Sequence, residues 1–172
     1  MSFQSPRKVA SSLTLILVVT AAFRLSFGAL EMRKISPQVL ATVSFQTEAG
    51  SIGRSLAQGK GFSNPYERET GPTAILPPVY PLIVAFVFRL FGFTSIASFR
   101  VLFFLNVLFA TLTGALIFHF GNRLAPGVGA IAAWIWALFP NGILIPFEWI
   151  WDSSLSALLV ATLLWFTVEL IN

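Results

Sequence analysis

Four apolar runs, at about residues 9–30, 99–120, 124–145 and 153–171, are separated by short polar gaps and one long loop, 31–98. A helix that crosses roughly 30 Å of hydrocarbon needs about 20 predominantly apolar residues. The pattern therefore predicts an all-α, polytopic membrane protein with about four transmembrane helices. The third run is interrupted near its end by Pro140, Asn141 and Gly142. A cleaved signal peptide is the competing reading of the first run, because "SFGA" places small residues after its apolar core.

A fifth, shorter apolar run behaves differently. Pro77, Pro78 and Pro81 rule out a helix before about Tyr80, since each lacks an N–H and pushes its predecessor out of the α region. Gly92 supplies a C-terminal stop. About a dozen residues remain, roughly 18 Å of helix at 1.5 Å per residue. That is too short to span, so the run is expected to lie at the interface. Earlier in the loop, Phe45, Ala49, Ile52 and Leu56 fall on one helical stripe, with Glu48, Ser51, Ser55 and Gln58 beside it. Gly59 and Gly61 end this amphipathic helix, while Gly50 and Gly53 weaken it. The stretch "GKGFSNPYERETGPTAILPP" reads as a Gly/Pro-rich connector.

Charge sets the expected orientation. Arg7 and Lys8 precede the first run, which puts the N-terminus in the cytoplasm. Arg24 is expected to snorkel to the interface. If the short run is interfacial, "GNRLAPG" with Arg123 is also cytoplasmic, and the loop 31–98 and the segment around Asp152 are external. Glu48, Arg54, Lys60, Arg100, Glu148 and Asp152 then share one face. If the run crosses, Glu48 and Asp152 lie on opposite sides. Trp149 and Trp151 beside Asp152 fit an outer aromatic belt. Asn106 is expected to hydrogen-bond between helices, and His119 to be interfacial.

Composition agrees with a membrane chain. Of 172 residues, 56% are hydrophobic and 10% charged, against roughly 25% charged in soluble domains. There is no cysteine, hence no disulfide framework or thiolate metal site. The net charge of +4 is spread thinly, with no basic stripe for nucleic acid. The closing "LLVATLLWFTVELIN" remains apolar almost to its end without a basic flank, which is expected of a truncated chain.

The order "RSLAQGKGF", then "GPTAILPPVYPLIVAFVFRLFG", then an arginine opening the next span, resembles the N-terminal part of bacterial GT-C superfamily membrane glycosyltransferases. The dolichyl-phosphate-mannose protein mannosyltransferase and lipid A aminoarabinose transferase group is the most similar branch. The resemblance covers nearly the whole chain and implies two juxtamembrane helices in the first external loop, the second beginning at Pro77-Pro78. It implies transfer of a sugar from a polyprenyl-phosphate donor to an acceptor on the outer face of the plasma (inner) membrane, with the bilayer as the other partner. An external carboxylate serves as base or holds a divalent metal. Carried over, Glu48 and Asp152 are the catalytic acids, with Glu148 as an alternative to Asp152. Arg100 holds the donor phosphate, and Arg54 and Lys60 are further substrate- or headgroup-binding cations. The family pattern has Asp-Glu beginning nine residues before the position of Arg54; here those positions are Phe45 and Gln46, and Glu48 follows three later. Residues i and i+3 share a helix face, so Glu48 can replace the missing acid.

The residue types fit that chemistry. An acceptor loses a proton as it attacks the anomeric carbon, and a carboxylate can take it. The departing phosphate gains charge, which a guanidinium fork stabilises. A piece of such an enzyme is expected to be inactive alone. The alternative is a non-catalytic lipid-binding or transporter-like protein, although transporters favour charge near the bilayer midplane.

Overall fold

The computed structural model describes residues 6–66 and 68–171. They form eight helices: α1 (Pro6–Lys34), α2 (Pro37–Ser44), α3 (Glu48–Ala57), α4 (Val79–Phe91), α5 (Ile96–Leu124), α6 (Val128–Leu138), α7 (Pro140–Glu148) and α8 (Ser153–Ile171). No strand occurs among the described residues; there is an isolated bridge between Ser63 and Pro72. Three helices are long and apolar enough to cross a membrane: Leu13–Lys34 within α1, α5 and α8. The expected third span is instead two consecutive short helices, α6 and α7. Pro140 is the cause. It has no N–H to continue the ladder, and it drives Phe139 to an extended ψ of 115°.

The chain divides into two compact units. The first contains residues 1–27, 107–143 and 154–172. Its core is Ile16, Phe118, Ala133 and Ala137, with Leu13, Ile117, Ala130 and Trp134 packed against it. Helices α5 and α6 run antiparallel. Trp136 Nε1 donates to the Ala110 carbonyl at 2.8 Å, and a methyl on Gly121 would stand 2.5 Å from Gly129 Cα. Helix α1 runs with α6 and against α5, since Ile16 meets Phe118 and Ala133 while Arg24 reaches Trp136. The end of α1 and the start of α5 therefore lie at one end of this unit's helices. Arg123 Nη2 pairs with Glu169 Oε1 at 2.9 Å, joining the C-terminal ends of α5 and α8.

Arg24 does not snorkel; it is 1% exposed. Its Nε donates to the Gly142 carbonyl at 3.2 Å, its Nη1 to those of Thr20 and Ala137 at 3.2 Å, and its Nη2 to that of Trp136 at 3.3 Å. The reason lies in the prolines. In an unbroken helix the Trp136 carbonyl would accept from residue 140 and the Gly142 carbonyl from residue 146. Both positions are proline and have no N–H to give. The guanidinium gives the Gly142 carbonyl the donor that Pro146 cannot, and adds a second to the Trp136 carbonyl, which also accepts from Phe139 N at 3.4 Å. Its ring-face contact with Trp136, 5.9 Å to the centroid, completes the seat.

The second unit contains residues 28–106 and 144–153. Here α3 packs on α4 with almost no spacer, because a methyl on Gly53 would lie 2.5 Å from Val84 Cγ1. The two glycines that weaken α3 as a free helix are thus packing requirements; a Cβ on Gly50 would strike the Phe45 carbonyl oxygen. Phe45 belongs to the end of α2 rather than to α3, and its ring meets Phe88 edge-on at 5.0 Å. The loop carries one more short helix than the two expected, α2, capped by Ser36 Oγ, which accepts from Val39 N at 3.3 Å. Helix α4 has 13 residues and closes at Gly92, whose φ of 88° suits glycine. Tyr80, Val84, Val87 and Phe88 are buried, while Val79, Leu82, Phe86 and Leu90 form an exposed apolar stripe. Asn106 makes the expected interhelical bond, accepting from the Tyr80 hydroxyl at 3.2 Å. Phe147 stands edge-on to Phe99 and Phe103, at 5.7 and 5.9 Å, and ties the end of α7 to α5.

Arg24→Leu is expected to lower the thermal unfolding midpoint of the detergent-solubilised protein. Each buried carbonyl left without a donor costs about 1–3 kcal/mol. Arg24→Lys keeps the charge but not the fork and falls in between. An unchanged midpoint for Arg24→Leu would show that the carbonyls find other donors.

Candidate functional site

The site is assembled around the start of α3. Thr47 caps this helix, its Oγ1 accepting from Gly50 N at 3.1 Å. The same hydroxyl donates to the Ile150 carbonyl at 3.1 Å, and Ile150 N donates to the Ser44 carbonyl at 3.2 Å. The extended segment after α7 is thereby stitched to the turn between α2 and α3. Glu48 follows Thr47 directly, and Asp152 lies two residues past Ile150, so the two acids sit on hydrogen-bonded neighbouring segments. Asp152 also acts on Tyr80. Burial pushes the Tyr80 hydroxyl far above the usual tyrosine range; the bond to Asn106 opposes this, and the Asp152 charge reinforces it.

Two adjoining cavities open beside α3. One, of about 520 Å³, is lined by Glu48, Thr47, Pro65, Tyr66 and Arg68 among others. The other, of about 410 Å³, is lined by Arg54, Gln58, Lys60, Asn64, Phe93 and Thr94 among others. Gln46, Ser51, Tyr66 and Arg68 belong to the walls of both. The second cavity is cationic: Arg54, Lys60 and Arg68 face a single acid, Glu69. The Arg54 guanidinium lies over the Phe93 ring, 4.2 Å from its centroid, which fixes its plane. Lys60 Nζ meets Glu69 Oε1 at 2.9 Å, and this bond, then the lysine's charge, holds the Glu69 carboxyl below its usual range.

The connector after α3 is folded rather than loose. Asn64 N donates to the Gly71 carbonyl at 2.9 Å, and Thr73 N to that of Phe62 at 3.1 Å. Asn64 Oδ1 accepts from Thr70 N and Gly71 N, both at 2.9 Å. Among the described residues, two that are not glycine have positive φ, Asn64 at 54° and Thr94 at 51°. Both line the cationic cavity. Left-handed backbone is costly for a β-branched residue, and such strain gathers at functional sites.

Of the expected site residues, Glu48, Arg54 and Lys60 converge on this pair of cavities. Asp152 lies on the segment stitched to them but lines neither. Arg100 is exposed in the first turn of α5 and also lines neither. The side chain of Glu148 lies outside the described residues. The sequence reading missed Tyr66 and Arg68. Their signal was "NPYERET", an aromatic and a cation two apart within a connector bounded by glycines. Among the described residues no three His, Cys, Asp or Glu converge. The Glu48 cavity offers one carboxylate beside an arginine, a poor fit to a divalent ion that wants several oxygen ligands.

Comparison with protein-family models, curated proteins and solved structures gives no match to this chain.

Thr94→Gly is expected to stabilise the protein by roughly 1 kcal/mol, since the relief of strain exceeds the added chain entropy. Asn64→Gly is expected to destabilise it, because the two bonds accepted by Asn64 Oδ1 are lost. Thermal melts of both variants check the pair; stabilisation by both would remove the distinction.

Proposed function

We propose that this chain serves sugar transfer from a polyprenyl-phosphate donor to an acceptor on the outer face of the plasma membrane. One observation carries the reading: the cavity of Glu48 and the cationic cavity of Arg54 and Lys60 share walls. A base and a phosphate site must lie one sugar apart for this reaction. The acceptor hydroxyl attacks the anomeric carbon and gives its proton to Glu48. The bond from that carbon to the phosphate oxygen breaks, and the electron pair leaves with the lipid phosphate. Arg54 and Lys60 face the charge that develops there. Asp152, on the neighbouring segment, supports Glu48 without entering its cavity. The exposed apolar stripe of α4 offers the prenyl tail a surface continuous with lipid.

A transporter-like reading would draw on the broken helix, since helix breaks often bind substrate ions. Here the carbonyl end of the break is already occupied by Arg24. The transfer reading is therefore favoured.

The orientation belongs to the same proposal. The N-terminus and Arg123 are cytoplasmic, and Tyr66 and Asp152 are external. The chain has no cysteine of its own, so single cysteines at residues 7, 66, 123 and 152 report cleanly on accessibility. Labelling at 66 and 152 from outside only, and at 7 and 123 from inside only, is expected. Labelling of residue 123 from outside would overturn the arrangement.

In membranes carrying the protein, Glu48→Gln is expected to lower transfer about 10²–10⁴-fold, as loss of a general base does. Donor binding should persist. Arg54→Gln should instead weaken donor binding. Near wild-type turnover by Glu48→Gln would end its assignment as the base.

A further inference from the structure

A sugar held between Glu48 and the phosphate-binding cations must rest on the walls that the two cavities share. Two side chains of the connector, Tyr66 and Arg68, form part of those walls. Accepting the polyprenyl-phosphate donor reading, we infer that Tyr66 and Arg68 are the subsite that seats the donor's sugar.

Chemistry supports the pair. A pyranose has an apolar face of C–H bonds and a rim of hydroxyls. An aromatic ring packs against the first, and a guanidinium fork can donate to the second. Tyr66 is 49% exposed, and Arg68 is exposed too. Among the described residues neither is tied up in a hydrogen bond or ion pair. Both are free to meet a ligand.

The chain on either side of them is tied down. The Asn64–Gly71 bond, the Asn64 side-chain bonds to Thr70 and Gly71, and the Lys60–Glu69 ion pair all close loops that contain Tyr66 and Arg68. Each bond lowers the ordering cost of binding, because the ends of the loop are held before the ligand arrives. The left-handed backbone at Asn64 fits this reading, since it turns the chain just before Tyr66. Glu48 then faces the acceptor side of the sugar, and Arg54 with Lys60 the phosphate side.

The test compares two probes, a polyprenyl phosphate and the same lipid carrying a hexose on its phosphate. Affinities are measured with the protein in nanodiscs. Wild type is expected to prefer the hexose-bearing lipid about tenfold, roughly what one good contact supplies. Tyr66→Ala should cut that preference to about twofold or less, with affinity for the bare phosphate unchanged. Arg68→Gln should cut the preference likewise while also weakening the bare phosphate, since it removes a charge from the cationic cavity. Tyr66→Phe keeps the ring and should keep the preference. If Tyr66→Ala retains the preference, or weakens both probes in parallel, the sugar subsite is wrong while the donor reading stands. If wild type binds neither lipid, the donor reading falls and takes the subsite with it.

Discussion

A backbone carbonyl in hydrocarbon has no water to turn to, so a membrane helix that breaks must bring its own donors. This constraint governs the first unit. Pro140 and Pro146 remove two N–H groups from the stretch after Trp136, and Arg24 donates to both carbonyls they would have met, that of Trp136 sharing a longer bond from Phe139 N. A charge is normally among the worst things to bury in a membrane. Here five N–H groups in a rigid fork are what the broken helix lacks, and the Trp136 ring accepts part of the charge. The arginine and the prolines make sense only together.

The second unit solves a different problem. It has to hold polar groups in a fixed array on elements too short to be stable alone. Helix α3 has only 10 residues, fewer than an isolated helix needs in water. It persists because Gly53 lets α4 approach to backbone distance, because Thr47 caps it, and because the segment after α7 bonds to that same cap. The polar consequence follows directly. Glu48 starts the helix, Arg54 lies six residues on, and Lys60 follows its end. The folded connector returns Tyr66 and Arg68 beside them.

Much of this was legible in the sequence. Hydrophobic run length identified α1, α5 and α8, and prolines with Gly92 bounded α4 almost to the residue. The stripe beginning at Phe45 found α3, although Phe45 proved to close the preceding helix. What was not legible depends on partners far away in the chain. Nothing near Arg24 announces that it will donate to carbonyls 112 to 118 positions later. Nothing near Gly53 announces Val84. Tyr66 and Arg68 were passed over because glycine and proline mark a loop without saying how it folds; side-chain bonds such as those of Asn64 decide that. Arg100 had a motif position in its favour, but near the start of α5 it is exposed and lines neither cavity.

The buried arginine also bears on how the protein is made. Helix α1 leaves the ribosome well before Trp136 exists. At about 5–20 residues per second the wait is roughly 5–25 s. During that interval Arg24 has only the Thr20 carbonyl of its own helix. A lone arginine at the centre of an inserting helix costs about 2.5–3.5 kcal/mol, and less toward its end. Snorkelling, absent from the finished fold, is therefore the natural resting state of the nascent one. Arg24 is then expected to reach first for the headgroups and to exchange them for α6. On that account biogenesis of this chain would include a late, charge-driven step, in which the arrival of one helix seals the insertion of another.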